Sequence, residues 1–215
     1  LKRMVHSIMK TRQEIKAQAK SIIGGNYSGA LLPGLLYLLI AAVASGVTFG
    51  LGFIITLPLV VGMTLVYINL WRGEASTIDV MFSSAFQENF GRKLGGMLWM
   101  ALFEWLLSML FVIPGIVKMY SYAMTPYILA KYPNVPAKEA LKLSMRIMNG
   151  RKMDLFVVDL SFIGWYLLSG LTFGILAIFY VNPYVYLTKA GCFNEYLNDA
   201  LSRNVIDMSE LRVNG

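Results

Sequence analysis

The sequence predicts an all-α, polytopic membrane protein with about six transmembrane helices. We expect three hairpins, each preceded by a cytoplasmic amphipathic helix. The chain of 215 residues is 57% hydrophobic and only 14% charged, whereas soluble domains carry roughly 25% charged residues. No Lys, Arg, Asp or Glu occurs between Ser21 and Trp71. Two further pairs of apolar segments follow, each pair long enough for two crossings.

The first unit begins with a basic amphipathic helix. Thr11 and Glu14 have the spacing of a capping box, in which each side chain binds the other residue's free backbone N–H group. A helix from there to about Ile23 places apolar residues on one face and lysines on another. It either lies on an anionic leaflet or forms a solvated flank. Spans near 29–45 and 52–71 follow.

The second and third units repeat this layout. In the second unit, Ser76 and Asp79 indicate another capped surface helix, and spans near 94–112 and 116–131 meet at a turn formed by Pro114-Gly115. In the third, an amphipathic helix over 136–149 precedes spans near 153–171 and 175–190. Two short motifs recur in register between these units: Gly91-Arg92-Lys93 as Gly150-Arg151-Lys152, and Pro126-Tyr127 as Pro183-Tyr184.

These segments predict a tail at 1–10, one membrane domain at 11–193 and a polar C-terminal tail at 194–215. The units of the domain are about 11–71, 74–131 and 136–193. Nearly every Lys and Arg lies in the termini or in the loops that precede the second and third hairpins, with Lys118 as the exception. The positive-inside rule then places both termini in the cytoplasm, and we expect a multi-pass protein of the bacterial cytoplasmic membrane.

Three ionisable residues fall within predicted spans, where charge is costly and indicates a candidate polar site. Glu104 lies near the middle of its span, Asp159 is shallower, and Lys118 follows the Pro114-Gly115 turn. Glu104 and Lys118 either neutralise each other across the hairpin or serve a polar cavity, and Lys118 alternatively extends to the outer interface. Asp159 either pairs with a basic residue at 150–152, reaches cytoplasmic water or serves a function.

Prolines and basic pairs supply the remaining candidates. Proline removes a backbone donor and kinks a helix, and broken helices line the cavities of many transporters. The simpler interpretation is packing, because kinks are common in membrane helices. Basic clusters beside spans attract anionic lipid, although topology also explains them. The candidate kinks are Pro58, Pro126 and Pro183; the candidate anionic-lipid contacts are Arg92, Lys93, Arg151 and Lys152.

Enzymatic and metal chemistry are disfavoured. The chain has one cysteine and one histidine, too few for a CxxC motif or a histidine-based metal site. No phosphate-binding loop or nucleophile elbow occurs, so we expect no catalytic residue, no metal and no cofactor. The net charge of +7 is better explained by membrane topology than by nucleic acid.

Several segments resemble a family of bacterial integral membrane proteins of unknown function, grouped with the membrane domain of glycerophosphodiester phosphodiesterases. The resemblance extends from residue 11 to about residue 200. It implies a polytopic protein of about six helices and supplies no catalytic residue; we expect no phosphodiesterase domain in this chain. The segments that carry it are Thr11–Lys20, Phe82–Phe86, Pro114–Ile116, Tyr120–Lys131, Lys138–Gly150, Phe162–Trp165 and Asn182–Tyr184.

We therefore expect a non-enzymatic membrane protein that transports or binds a lipid or another small amphipathic molecule. The alternative is a regulatory or interaction subunit that docks its partners through the cytoplasmic amphipathic helices. The expected partners are membrane lipids of an anionic leaflet. Assembly into a homo-oligomer or a larger membrane complex stays open.

Overall fold

The structure, a computed structural model, describes residues 9–48, 52–87, 89–110 and 112–211, and every regular element in these ranges is helical. This confirms the all-α fold class. Two π-helical turns interrupt the α-helices, Ser83–Gln87 after α4 and Ala177–Val181 before α11. The α-helices are α1 (Arg12–Gly25), α2 (Tyr27–Val47), α3 (Phe53–Trp71), α4 (Ile78–Phe82), α5 (Phe90–Leu110), α6 (Val112–Tyr122), α7 (Thr125–Lys131), α8 (Ala137–Ile147), α9 (Lys152–Leu160), α10 (Ile163–Leu171) and α11 (Asn182–Ser202).

Helix α1 begins as predicted, with a complete capping box. The backbone N–H of Glu14 donates to Thr11 Oγ1 at 3.3 Å, and the backbone N–H of Thr11 donates to Glu14 Oε2 at 2.7 Å. The backbone N–H group and the hydroxyl of Thr11 both donate to the Glu14 carboxylate. Because these hydrogen bonds stabilise the charged form, they lower the pKa of Glu14. The local sequence alone determines where this helix starts.

The apolar faces of the amphipathic helices are covered by protein. Ile15 and Ala19 of α1 are buried, and Lys16 Nζ on the same helix lies 2.9 Å from Ser161 Oγ and 4.2 Å from the centroid of the Phe162 ring. In α8, Leu143 and its apolar neighbours are buried as well. The apolar faces of α1 and α8 pack against the protein core. They therefore do not lie on a membrane leaflet.

The segment around α4 differs from its prediction. Its N-cap is Thr77, whose side chain makes no capping bond, so the predicted capping box of Ser76 and Asp79 is wrong. The Ser76 hydroxyl instead accepts a 3.4 Å hydrogen bond from Asn69 Nδ2. Helix α4 crosses α3 at Gly62, where a β-carbon would collide with the carbonyl oxygen of Met81. Glycine is needed here for close approach.

The centre of the molecule is formed by α3, α7 and α11. Tyr67 of α3 stacks on Tyr186 at 5.1 Å between ring centroids, and Tyr127 of α7 stacks on Phe193 at 5.3 Å. Both of these partners belong to α11. Gly191 of the same helix faces the Trp71 ring with no room for a side chain. Two tyrosines, Tyr67 and Tyr127, therefore lie buried at the centre of the core.

The C-terminal part of the chain is more ordered than predicted. The expected tail boundary at residue 194 falls inside α11, which buries Phe193, Tyr196 and Leu197. Beyond α11 the chain folds back on α8, where Arg146 forms an ion pair with Glu210 and donates to the Val205 carbonyl.

Two predicted spans are broken. The predicted span 116–131 divides into α6 and α7, and the predicted span 153–171 into α9 and α10. At the first break, the Ser144 hydroxyl of α8 donates to the Ser121 carbonyl at 2.8 Å and accepts from the Met124 N–H group at 3.1 Å. One buried hydroxyl thus satisfies two backbone groups that the break releases.

Two stretches of the described chain are long and apolar enough to cross a bilayer: Tyr27–Val47 and Lys152–Leu171, the latter formed by α9 and α10 together. Helix α3 contributes a shorter apolar segment, Thr56–Trp71. The predicted turn at Pro114-Gly115 lies in the first turn of α6. Helix length and composition therefore do not establish six spans, and the six-span topology stays a prediction.

We predict that Ser144→Ala destabilises the protein by about 1–3 kcal/mol, since it leaves a buried carbonyl and a buried N–H group without their partner. The measurement is thermal unfolding in detergent. Ser202→Ala, at the exposed end of α11, is the matched control. Equal melting temperatures for the two variants would contradict a role for Ser144 at the break.

Candidate functional site

Asp159 lies at the junction of three helices. Its Oδ1 is 3.0 Å from Lys189 Nζ of α11, and its Oδ2 accepts a 3.1 Å hydrogen bond from the Tyr120 hydroxyl of α6. The Asp159 and Lys189 side chains are 28% and 32% exposed. The structure thus pairs Asp159 with a lysine distant in sequence instead of a basic residue at 150–152.

This cluster ties α6, α9 and α11 together. A carboxylate that accepts from an ammonium and a phenol has its charge balanced and its oxygens satisfied, which favours a fixed arrangement. The Tyr120 ring also packs edge-on against Phe156, 5.9 Å between centroids. The partial exposure of the charged pair leaves room for a polar group to approach it.

Glu104 and Lys118 are not brought together. Lys118 Nζ lies 3.7 Å from the Met145 sulfur of α8 and 5.6 Å from the centroid of the Tyr122 ring. The ion pairs found within the described ranges do not include one between Glu104 and Lys118. Glu104 lies on α5 with its side chain partly buried. The predicted neutralisation across the hairpin is therefore absent between these two described residues.

The three candidate kinks occupy different positions in their helices. Pro58 lies inside the continuous helix α3. Pro126 is in the first turn of α7, directly after the break, and Pro183 is in the first turn of α11, directly after a π-helical turn. Since a first-turn N–H group has no helical acceptor, proline costs little there. Pro126 and Pro183 thus begin new helix segments at similar positions in the second and third units.

Arg92 and Lys93 serve the protein interior. The Arg92 guanidinium donates to the carbonyls of Leu129 at 2.7 Å and Val135 at 2.6 Å, at and beyond the C-terminal end of α7. Lys93 is 1% exposed, and its ammonium donates to the Ser84 carbonyl in the first π-helical turn. Both cations satisfy backbone carbonyls, and Lys93 in this position does not face a lipid headgroup.

Arg151 and Lys152 differ from each other. Arg151 forms ion pairs with Asp199 at 2.9 Å and Asp154 at 3.1 Å, and Arg203 joins Asp199 at 2.7 Å. Lys152 takes part in none of the ion pairs or hydrogen bonds resolved among the described residues, and its side chain is partly exposed. Of the four candidate lipid contacts, Lys152 is the one with an uncommitted ammonium in the described chain.

A cleft lies between the starts of α2 and α4, and the sequence did not reveal it. The cleft has a volume of about 430 Å³. Its lining combines five polar and three apolar side chains, with both kinds contributed by each of the two segments. The lining residues are Asn26, Ser28, Gly29, Leu32, Pro33, Ser76, Thr77, Ile78 and Asp79.

The N-cap of α2 and the antiparallel packing of α2 and α3 position the cleft. Asn26 is the N-cap of α2, and its Oδ1 accepts from the Gly29 N–H group at 3.0 Å. Ser76 is held by Asn69 from the end of α3. The two lining segments are more than forty residues apart, so only the antiparallel packing of α2 and α3 brings them together. The one sequence signal was the cap-forming residue types at both helix starts.

No cluster of three or more His, Cys, Asp or Glu side chains suited to a metal ion occurs within the described ranges. The polar groups of the cleft are hydroxyls, an amide and one carboxylate, which bind through hydrogen bonds and charge.

Comparison with known families matches residues 52–198 to the family described as "Protein of unknown function (DUF975)". The match covers more than half of the chain and confirms the predicted kinship with an uncharacterised family. It does not extend to the predicted grouping with the phosphodiesterase membrane domain. No curated protein and no solved structure matches.

We predict that Asp159→Asn and Lys189→Met show a coupling free energy of about 1 kcal/mol or more in a double-mutant cycle of stability. The exposed pair Glu139–Lys142, with side chains 49% and 62% exposed, is the matched control and is expected to give a coupling near zero. Equal coupling in both pairs would contradict a structural role for the Asp159 cluster.

Proposed function

This chain belongs to the DUF975 family, and on that premise we propose that it is a non-enzymatic integral membrane protein that binds or transports a small amphipathic molecule, such as a lipid. The observation that carries the proposal is the cleft between the starts of α2 and α4. It combines polar and apolar lining side chains in a volume of about 430 Å³, within the usual range of small-molecule sites.

A membrane location is supported by what the apolar helices expose. Core helices of a soluble protein bury most of their residues, but only 17% of the most apolar window of α2 and 22% of that in Lys152–Leu171 are buried. Leu167 and Leu171 on α10 are among the exposed residues. In water these surfaces would form unusually large apolar patches, whereas in a bilayer they face acyl chains.

The proposed topology follows from charge. We place six spans as three hairpins in the bacterial cytoplasmic membrane, with both termini in the cytoplasm, because Lys and Arg concentrate in the termini and the two loops between hairpins. The recurrence of Pro126 and Pro183 at the starts of α7 and α11 is consistent with an internal repeat. Partners in a homo-oligomer or a larger membrane complex are compatible with this arrangement.

The position of the cleft suits an amphipathic ligand. Charged residues are absent between Ser21 and Trp71 and reappear on both sides, at Lys20 and Arg72. Since the cleft lies at the start of α2 and just beyond the end of α3, it falls at the boundary between apolar and polar surfaces. Amphipathic molecules partition to this boundary with their polar ends outward.

Two features favour movement of the ligand as well as binding. The breaks between α6 and α7 and between α9 and α10 divide helices that are continuous in simple bundles. Transporters use such breaks to expose backbone groups and to allow rearrangement. The partly exposed Asp159–Lys189 pair lies beside the second break and supplies a polar group there.

The alternative function, a regulatory or interaction subunit, places a partner on the amphipathic helices. Since the apolar faces of α1 and α8 are buried in the protein, such docking would use their polar faces, where Lys138 and Lys142 are exposed. The predicted grouping with the phosphodiesterase membrane domain contributes nothing to either proposal.

We predict that Ser28→Trp, which fills the cleft, lowers the amount of co-purifying lipid several-fold. The measurement is quantitative mass spectrometry of lipid retained by the detergent-solubilised protein. Ser45→Trp, an exposed serine at the other end of α2, is the matched control and is expected to retain lipid like the parent protein. Equal retention by both variants, with both folded, would overturn binding in the cleft.

A further inference from the structure

The cleft between α2 and α4 has a single charged lining residue, Asp79. On this ground we infer that its ligand carries a positively charged amine at its polar end, and that Asp79 pairs with that amine. This inference rests on the proposed function, because it specifies the chemical class of the molecule bound in the same cleft.

Charge complementarity is the first argument. The other polar lining side chains are neutral hydroxyls and an amide, from Asn26, Ser28, Ser76 and Thr77. No ion pair found within the described ranges includes Asp79. An ammonium group in the cleft would therefore meet a carboxylate that pairs with no cation of the described residues.

The lining also disfavours other headgroups. No Lys or Arg side chain contributes to the cleft, so an anionic headgroup would meet the Asp79 carboxylate with no compensating cation. A neutral alcohol would form hydrogen bonds to the hydroxyls but no ion pair. Hydrogen bonds to charged groups are stronger than those between neutral groups. Among these headgroups, we therefore expect the amine to bind with the most favourable free energy.

One apolar lining residue of the cleft, Leu32, belongs to an exposed apolar stripe on α2. Leu32 lines the cleft and is 42% exposed, and Leu39, Val43 and Val47 are exposed along the same helix face. Their spacing keeps them on one stripe, and from Leu32 to Val47 the stripe rises roughly 22 Å at 1.5 Å per residue. A ligand held at Asp79 by its amine therefore has a continuous apolar surface for an alkyl chain.

The test uses single-chain probes of defined headgroup. Binding of dodecylamine, lysophosphatidylethanolamine, dodecanol and dodecanoate to the purified full-length protein in a neutral detergent is measured by titration calorimetry. The parent protein is expected to bind the two amines about tenfold more tightly than the alcohol and the acid, the ratio expected for one charge-assisted hydrogen bond. Comparison of the two amines distinguishes a free amphipathic amine from a lipid headgroup.

Variants assign the preference to Asp79. Asp79→Asn is expected to remove the tenfold preference while chain binding persists, and Asp79→Glu to restore it. Glu74→Gln, a nearby carboxylate outside the cleft lining, is the matched control and is expected to keep the preference. Thermal melting confirms that each variant is folded.

The outcomes separate this inference from the proposed function. If the parent protein binds all four probes equally, or if Asp79→Asn keeps the preference, the amine assignment is overturned. Loss of binding in Ser28→Trp would still support an amphiphile site in that case. If Ser28→Trp binds dodecylamine as tightly as the parent protein does, the cleft is not the site and both proposals fail.

Discussion

The fold depends on satisfying backbone groups wherever a helix is interrupted among apolar surroundings, because an unpaired carbonyl or N–H group there costs several kcal/mol. Several of these interruptions receive a polar side chain from a distant element. Ser144 serves the start of α7, Arg92 serves its end, and the Tyr27 hydroxyl donates to the Phe179 carbonyl in the second π-helical turn at 2.8 Å. Interrupted helices are therefore a supported part of this architecture.

This constraint explains why polar residues that suggest function from sequence serve structure instead. Arg92 and Lys93 follow a glycine at the start of an apolar span, a pattern typical of topology and lipid contact. In the folded chain the Arg92 guanidinium closes the end of α7, and Lys93 reaches a carbonyl in the interior. A planar guanidinium with five donors suits several carbonyls at once, so lysine would not replace Arg92 without loss.

The Thr11–Glu14 capping box and the all-α class required only local spacing and composition, and both were predictable from the sequence. The Ser76–Asp79 capping box has the same local spacing but does not form, because the Ser76 hydroxyl is bonded by Asn69 instead. The burial of α11 beyond residue 193 was missed, because it depends on packing against distant helices, as when Phe193 stacks on Tyr127 of α7. The cleft was missed for the same reason, since Ser28 and Asp79 line it together only through the packing of α2 against α3. Asp159 was among the predicted candidates, but its partner Lys189 lies too far along the chain for sequence spacing to reveal it.

Charge placement distinguishes the Asp159–Lys189 pair from the proposed ligand site. Asp159 already forms an ion pair with Lys189 and accepts a hydrogen bond from Tyr120. A ligand that binds Asp159 must displace one of these partners, and displacement of Lys189 leaves its ammonium without a counter-ion. Asp79 has no such partner within the described chain and borders an open volume. Under the proposed function, initial binding is therefore favoured in the cleft beside α2. The Asp159–Lys189 pair instead holds α9 and α11 together. Any movement of ligand toward the broken helices would begin from the cleft.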